Sequence, residues 1–197
     1  MSKYVLMNAD MQNSVSLMKD FKQKDHKGVI SGIELSVKVL RAGVWEYQQN
    51  DSLKLPDGMN RCCERFDGFF KAQHSGKNLK WIPSLGDCEV KSLIYSKPYS
   101  FTLTTYQTAI LMLFNIKEAY TYKELIDLTK LPSEILSPQM FNLIHPKMGK
   151  LLIKENLKTP TIAPTEKVKI NPSFSFSSIK IVLVPTQKTK VDFVAKG

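Results

Sequence analysis

The sequence of 197 residues contains no long apolar run. A transmembrane helix needs about 20 consecutive apolar residues, and no stretch here approaches that length. The first ten residues also lack the apolar core of a secretory signal peptide. We therefore expect no membrane partner and a location in the cytoplasm and/or the nucleus.

Cysteine and histidine are scarce, with three residues of each. So few cysteines exclude a disulfide framework and favour a reducing compartment. Zinc sites usually carry paired ligands at short spacing, and no such pair occurs. A P-loop is excluded as well, because Gly76–Lys77 lacks the rest of that motif. The sequence thus predicts no catalytic residue, no metal site and no cofactor.

Positive charge is concentrated near the end of the chain. The net charge is +10, and residues 146–197 hold ten lysines against three acidic residues. Such a region can meet nucleic acid, anionic lipid or an acidic protein. A merely solvated lysine-rich surface is the alternative.

The central stretch, residues 100–115, predicts a strand that runs directly into an apolar helix. The strand covers residues 100–103, and Thr104 or Thr105 is the expected N-cap. One buried stripe follows at helical spacing: Tyr106, Ala109, Ile110, Leu113 and Phe114.

Weaker patterns precede this stretch. Val15, Met18 and Phe21 predict one short amphipathic helix. Residues 35–40 alternate between apolar and polar, as in a half-buried strand. A helix capped by Asp57 follows, with a core-facing side made of Met59, Cys62, Cys63, Phe66, Phe69 and Phe70. Because the thiols lie on that side, we expect them to be inert.

Three strands, at residues 78–82, 88–94 and 99–103, are predicted to form an antiparallel meander. Beyond the central helix, Thr121 and Glu124 form a capping box. Another helix starts near Pro132, with Pro138 expected to kink or restart it. Strands at 151–154, 168–170 and 179–184 complete the chain. Three helices followed by a hairpin are typical of a winged helix, and the whole pattern predicts an α+β fold.

A winged helix with a basic tail raises the alternative of a nucleic-acid-binding protein. The candidate recognition helix presents Glu134, Gln139 and Asn142 and contains no arginine. Since a major-groove reader normally exposes Arg, Asn or Lys there, nucleic-acid binding is the less favoured reading.

Five stretches occur in the order and at the spacing of one known family: SVKVLRAGVW, FDGFFKAQHSGKNLKWIPSLGDCEVK, TTYQTAILMLFN, YTYKELIDLTKLP and KINPSF with IKI. Over roughly residues 15–185 the sequence resembles the cullins, and it looks closest to the first and second cullin subfamilies. The resemblance implies the end of a helical bundle plus a small antiparallel sheet, the cullin α/β region, in residues 1–117. A winged-helix-like subdomain in 118–184 and a flexible basic tail in 185–197 would follow.

The resemblance also implies a function, that of a non-catalytic scaffold in a cullin–RING ubiquitin ligase. In that family a RING-box protein adds a strand to the cullin sheet and holds a ubiquitin-loaded E2, and basic surface meets acidic partners. We expect the shared sheet near residues 35–40 and 79–82. The expected contact residues are Leu35, Val37, Val39, Leu79 and Trp81. Packing within the chain's own core is the alternative for each.

The sequence departs from the family at both ends. Nothing corresponds to the helical repeats that bind substrate adaptors, or to the I-V-R-I-M-K stretch that carries the neddylation lysine. Lys188, Lys190 and Lys196 are therefore given no neddylation role. These departures predict an inert or competing scaffold.

Overall fold

The computed structural model describes residues 3–25, 32–47, 52–145, 147, 149–156 and 162–184. The chain divides into two compact units. Unit 1 comprises residues 1–48 and 55–81, and unit 2 comprises residues 49–54 and 82–197. The predicted boundary at residue 118 stays a prediction, and the predicted flexible tail lies outside the described residues.

Unit 1 is built on two helices, α1 (Lys3–Lys24) and α2 (Asp57–Gln73). The predicted short helix is wrong in length and in one of its contacts, because α1 has 22 residues and Val15 is 72% exposed. Besides Met18 and Phe21, the buried residues of α1 are Asp10 and Ser14. Because Asp10 and Ser14 on the buried face are polar, the apolar pattern covers only part of the helix, and the sequence underestimated its length.

Two predicted strands of unit 1 are not strands. Residues 34–41, the first extended segment, and residues 77–81, the second extended segment, belong to no sheet. The alternating burial predicted for them is present, with Leu35, Val37, Val39, Leu79 and Trp81 less exposed than the residues between them. The side-chain period is therefore correct, but strand pairing is absent in the described part of both segments.

The start of α2 also differs from the prediction. Pro56 is its N-cap and makes no side-chain capping bond, and Asp57 is the first helical residue. Cys62, Phe66 and Phe70 are buried on its inner face, as the spacing predicted.

Unit 2 begins with a mixed sheet of three strands, in the order β1–β2–β6. These strands are β1 (Asp87–Lys91), β2 (Ser100–Thr104) and β6 (Lys180–Val182). β1 and β2 are antiparallel, whereas β6 pairs with β2 in parallel. The predicted meander is thus wrong in its first member, residues 78–82, because the strand that completes the sheet is β6, from the far end of the described chain. A partner so distant in sequence leaves no local signal.

The rest of unit 2 has the order of a winged helix: α3 (Thr105–Leu113), β3 (Ala119–Thr121), α4 (Tyr122–Thr129), α5 (Ser133–Ile144), β4 (Leu152–Lys154) and β5 (Lys167–Ile170). The three strands form an antiparallel sheet, β3–β5–β4. Capping boxes start α3, from Thr104 and Gln107, and α4, from Thr121 and Glu124. The short strand β3 was not predicted.

Helix α5 corrects a further prediction. Pro138 lies inside one continuous helix and does not break it, and Pro132 is the N-cap. The remaining contacts of the helix compensate for the missing N–H of Pro138, since Leu136, Met140 and Leu143 are fully buried.

Both sheets and the three helices of unit 2 share one core. Its members include Leu103, Ile110, Leu125, Met140 and Val168, all fully buried. Burying such a side chain stabilises the fold by roughly 1.5–3 kcal/mol. Unit 2 is therefore an α+β body with a single hydrophobic interior.

We predict that Thr104→Ala lowers the free energy of unfolding by about 1–2 kcal/mol. The Thr104 hydroxyl accepts from Gln107 N at 3.1 Å and donates to Gln139 Oε1 at 2.9 Å. Urea unfolding of the variant checks this, with Thr104→Ser, which keeps the hydroxyl, as the control. Equal losses in the two variants would contradict the capping account.

Candidate docking site

The interior of unit 1 is an aromatic cluster, formed by Phe21 of α1, Phe66, Phe69 and Phe70 of α2, and Trp81 of the second extended segment. Phe21 meets Phe66 and Phe69 edge-on at centroid distances of 5.2 and 5.1 Å. Trp81 meets Phe66 edge-on at 6.1 Å. Such contacts contribute about 0.5–1.5 kcal/mol each beyond the area they bury. The cluster is the packed apolar surface on which both extended segments lie.

The first extended segment is attached to α1 through side chains rather than through a strand. The Val37 N–H donates to Met18 Sδ at 3.3 Å, and the Val39 N–H donates to Ser14 Oγ at 2.8 Å. The next alternate residue continues the series, with the Arg41 N–H donating to Asp10 Oδ2 at 3.0 Å. Every second amide of the segment therefore meets every fourth side chain of the helix, in antiparallel order.

This correspondence has a geometric basis. Four residues of an α-helix rise about 6 Å, and two residues of an extended chain advance about 6.6–6.8 Å. The two repeats nearly match, so three successive pairs form without distortion. Helix α1 thus occupies one edge of the segment as a neighbouring strand would.

Nothing in the described part of the chain occupies the other edge of the segment. In an extended chain, the N–H and C=O groups of successive residues point to opposite edges. Ser36, Lys38 and Leu40 lie between the bonded residues, and their main-chain groups have no hydrogen-bond partner in the part of the chain that the structure describes. A strand edge of this kind is a ready template for a further strand.

The second extended segment packs on the same cluster. Its Trp81 is a member of the cluster, and Leu79 packs there together with Leu35 and Val39 of the first segment. The Trp81 indole also donates to Asp67, with Nε1 3.1 Å from Oδ1. The side chain of Trp81 is consequently held inside unit 1.

The structure brings the predicted contact residues together. Leu35, Val37, Val39, Leu79 and Trp81 all belong to, or pack against, one hydrophobic cluster. Their role in binding a partner stays a prediction, since ordinary core packing gives the same burial. Sequence reasoning missed Asp10 and Ser14, and it placed Met18 on a helix face without its bond to the segment, although the i, i+4, i+8 spacing puts all three on one face.

Asp10 is the charged end of this arrangement. Its carboxylate is 3% exposed; it forms an ion pair with Arg41 at 3.0 Å and accepts from Trp45 Nε1 at 2.9 Å. Burial raises the pKa of Asp10. The hydrogen bonds from the Arg41 amide and the Trp45 indole, together with the Arg41 charge, outweigh burial, so the pKa of Asp10 lies below its ordinary value of 3.8. The carboxylate is therefore ionised at neutral pH.

The thiols of the chain are not activated. Burial raises the pKa of Cys62 and Cys88 and raises that of Cys63 to about 12. Because the thiolate is the reactive form of cysteine, none of the three is a nucleophile at neutral pH.

The described residues form neither a metal centre nor a membrane-spanning helix. His, Cys, Asp and Glu side chains form no group of three there that could hold a metal ion. No described helix is both long and apolar enough to span a bilayer.

Helix α5 is poorly suited to reading DNA. Gln139 is half-buried and accepts from Thr104, while Glu134 and Phe141 are exposed. A negative charge on the outer face repels phosphate.

Comparison with known proteins identifies the family. Residues 39–174 match the model of the cullin alpha+beta domain. Cullin-3 of Dictyostelium discoideum is 34% identical over 78% of this chain and 20% of its own length. Cullin-3A of Arabidopsis thaliana is 30% identical over 95% of this chain and 26% of its own length. Cullin-1 of D. discoideum is 32% identical over 99% of this chain and 26% of its own length. The chain belongs to the cullin family.

The matched relatives are much longer than this chain, which spans between a fifth and about a quarter of their length. Relatives named cullin-1, cullin-2 and cullin-3 match at similar identities. The resemblance to the first and second subfamilies therefore stays a prediction.

We predict that Asp10→Asn lowers the free energy of unfolding at pH 7 by about 1–2 kcal/mol. The asparagine has one acceptor oxygen and turns an NH₂ group toward Arg41. Because the pKa of Asp10 is lower in the folded chain than in the unfolded chain, ionised Asp10 stabilises the fold at pH values above the unfolded pKa. That stabilisation fades as the pH falls below about 3.8 and through the folded pKa. The difference between variant and wild type should therefore shrink as the pH falls from 5 to 2.

The matched control is Asp20→Asn, on the same helix, because the side chain of Asp20 makes no hydrogen bond or ion pair in the described part of the chain. Denaturant midpoints measured across this pH range check the prediction. A stability difference for Asp10→Asn that stays constant with pH would contradict it.

Proposed function

We propose that this chain is a non-catalytic scaffold segment of a cullin–RING ubiquitin ligase. It binds a RING-box subunit by accepting an extended strand along the first extended segment, over the aromatic cluster of unit 1. The RING subunit in turn holds a ubiquitin-loaded E2, and the complex serves ubiquitin-dependent degradation.

The observation that carries this proposal is the open main-chain edge at Ser36, Lys38 and Leu40. Strand addition gains affinity from main-chain hydrogen bonds and specificity from side-chain pockets. Here α1 already occupies the opposite edge of the segment. The buried side chain of Val37 holds the segment on the core of unit 1. A partner strand would bond to an ordered main-chain edge and pack its side chains next to the aromatic cluster.

Scaffold function agrees with the chemistry of the chain. Its thiols are kept protonated by burial, so the reactive cysteine of the pathway belongs to the E2. The three cysteines are free and suit the reducing environment of the cytoplasm or nucleus.

Lys38→Pro tests the open edge, because proline removes the amide that the partner would use. We expect binding to a purified RING-box subunit to weaken at least about tenfold, equal to ~1.4 kcal/mol, with a small change in the unfolding midpoint of the free chain. Isothermal calorimetry and thermal unfolding measure the two effects.

The matched control is Val39→Pro, one residue away. Its amide already donates to Ser14, so this variant should destabilise the free chain more than Lys38→Pro does. Wild-type chain that forms no complex at micromolar concentration, or Lys38→Pro chain that binds as wild type does, would refute strand addition at this edge.

Binding the RING-box subunit also predicts competition. A chain that takes up this subunit withholds it from a full-length cullin, so adding it in excess should slow ubiquitin transfer by a reconstituted ligase. Lys38→Pro chain at the same concentration is the control, and equal inhibition by both would contradict competition through this edge.

A second partner surface is basic. Lys167 and Lys169 lie on the exposed face of β5, and exposed Lys180 lies on β6. Among the partners that a lysine-rich surface can meet, we favour an acidic protein, because the exposed Glu134 of α5 disfavours contact with DNA phosphates. Lys167→Glu/Lys169→Glu should weaken binding of an acidic peptide at least about tenfold at low salt and remove most of its salt dependence.

The control for the acidic partner is Lys71→Glu, an exposed lysine of unit 1, which should change this affinity less than about twofold. Fluorescence anisotropy at two salt concentrations measures both. Equal losses in the two variants would indicate a general charge effect and contradict a defined acidic-partner surface.

A further inference from the structure

Helix α1 carries an unusual set of buried groups. Asp10 and Ser14 are both 3% exposed, and Met18 is 9% exposed. A buried polar group is costly unless it is hydrogen-bonded. Each of the three accepts a main-chain N–H from the first extended segment, so these residues serve the segment rather than the helix alone.

We propose that α1 acts as a substitute strand, in which Asp10, Ser14 and Met18 are positioning residues that close one edge of the first extended segment and thereby select the opposite edge for the partner. The identity of that partner, a RING-box subunit, rests on the proposed function. The closing of the edge concerns the free chain and does not depend on it.

The need for such a device follows from the nature of strands. An extended segment with both edges open has no fixed register, and a slip of one residue exchanges the two faces and the two edges. Three hydrogen bonds at alternate residues prevent that slip. They also fix which main-chain groups point away from α1, namely those of Ser36, Lys38 and Leu40.

Ser14 is the central member of the set. Its hydroxyl accepts from Val39 N at 2.8 Å and donates to the Asp10 carbonyl at 2.6 Å. The hydroxyl hydrogen is thus used within the helix, and its lone pair is aimed at the segment. Removing this oxygen should free the middle of the segment while leaving the aromatic cluster in place.

Ordering before binding affects affinity. A segment that is already extended loses less conformational freedom when a strand adds to it, so preorganisation strengthens binding without any new contact. Ser14 has no main-chain group of its own at the open edge. Its effect on partner affinity would therefore pass through the geometry of the segment.

Amide hydrogen exchange of the full 197-residue chain, free of any partner, tests the closing of the edge. We expect Val37, Val39 and Arg41 to exchange at least about tenfold more slowly than Ser36, Lys38 and Leu40, because among the described residues only the first three amides have a hydrogen-bond partner. Similar rates at the six amides would overturn the inference.

Two variants make the test specific. Ser14→Ala should accelerate exchange most at Val39, and Met18→Leu, which keeps volume but removes the acceptor, should accelerate it most at Val37. Ser14→Ala should also weaken binding of a RING-box subunit about fivefold, the effect of one hydrogen bond. Uniform acceleration across the segment in both variants would overturn the positioning role.

Phe69→Leu is the control for simple destabilisation. Phe69 packs in the same cluster but makes no hydrogen bond to the segment, so the variant should lower stability and leave the alternation of exchange rates intact. Alternation in a wild-type chain that binds no RING-box subunit would contradict the proposed function while supporting the role of α1.

Discussion

The organisation of unit 1 depends on the match between a helix and an extended chain. Side chains at every fourth position of α1 receive amides at every second position of residues 34–41. This arrangement solves two problems together. It satisfies main-chain donors that no sheet satisfies, and it accommodates two polar residues on the buried face of α1. The aromatic cluster supplies apolar burial, but the hydrogen bonds set the direction of the segment.

The two units illustrate different routes from sequence to structure. In unit 2 the stabilising contacts are mostly apolar, and the sequence carries strong local signals, including the capping boxes at Thr104 and Thr121. Its helices and hairpin were therefore predictable from periodicity and end signals. The exceptions, β6 in parallel with β2 and the short strand β3, depend on partners distant in sequence, which no local pattern encodes.

Unit 1 was less predictable for a related reason. The alternation of Leu35, Val37 and Val39 revealed which side chains face the core. It did not reveal what the main chain bonds to, because the acceptors lie 19–31 residues away on a helix. Period-two burial is shared by a paired strand and by a segment held on a helix. Asp10, Ser14 and Met18 appeared in the sequence only as a spacing on one helix face, without any indication of the chain that they face.

Family membership and geometry together define the central claim, that the edge left open by α1 is where a RING-box subunit adds its strand. The most direct measurement is amide hydrogen exchange of the chain with and without that subunit. The account predicts new protection at Ser36, Lys38 and Leu40, with Val37, Val39 and Arg41 protected in both states. A complex that forms while the amides of Ser36, Lys38 and Leu40 continue to exchange as in the free chain would contradict it.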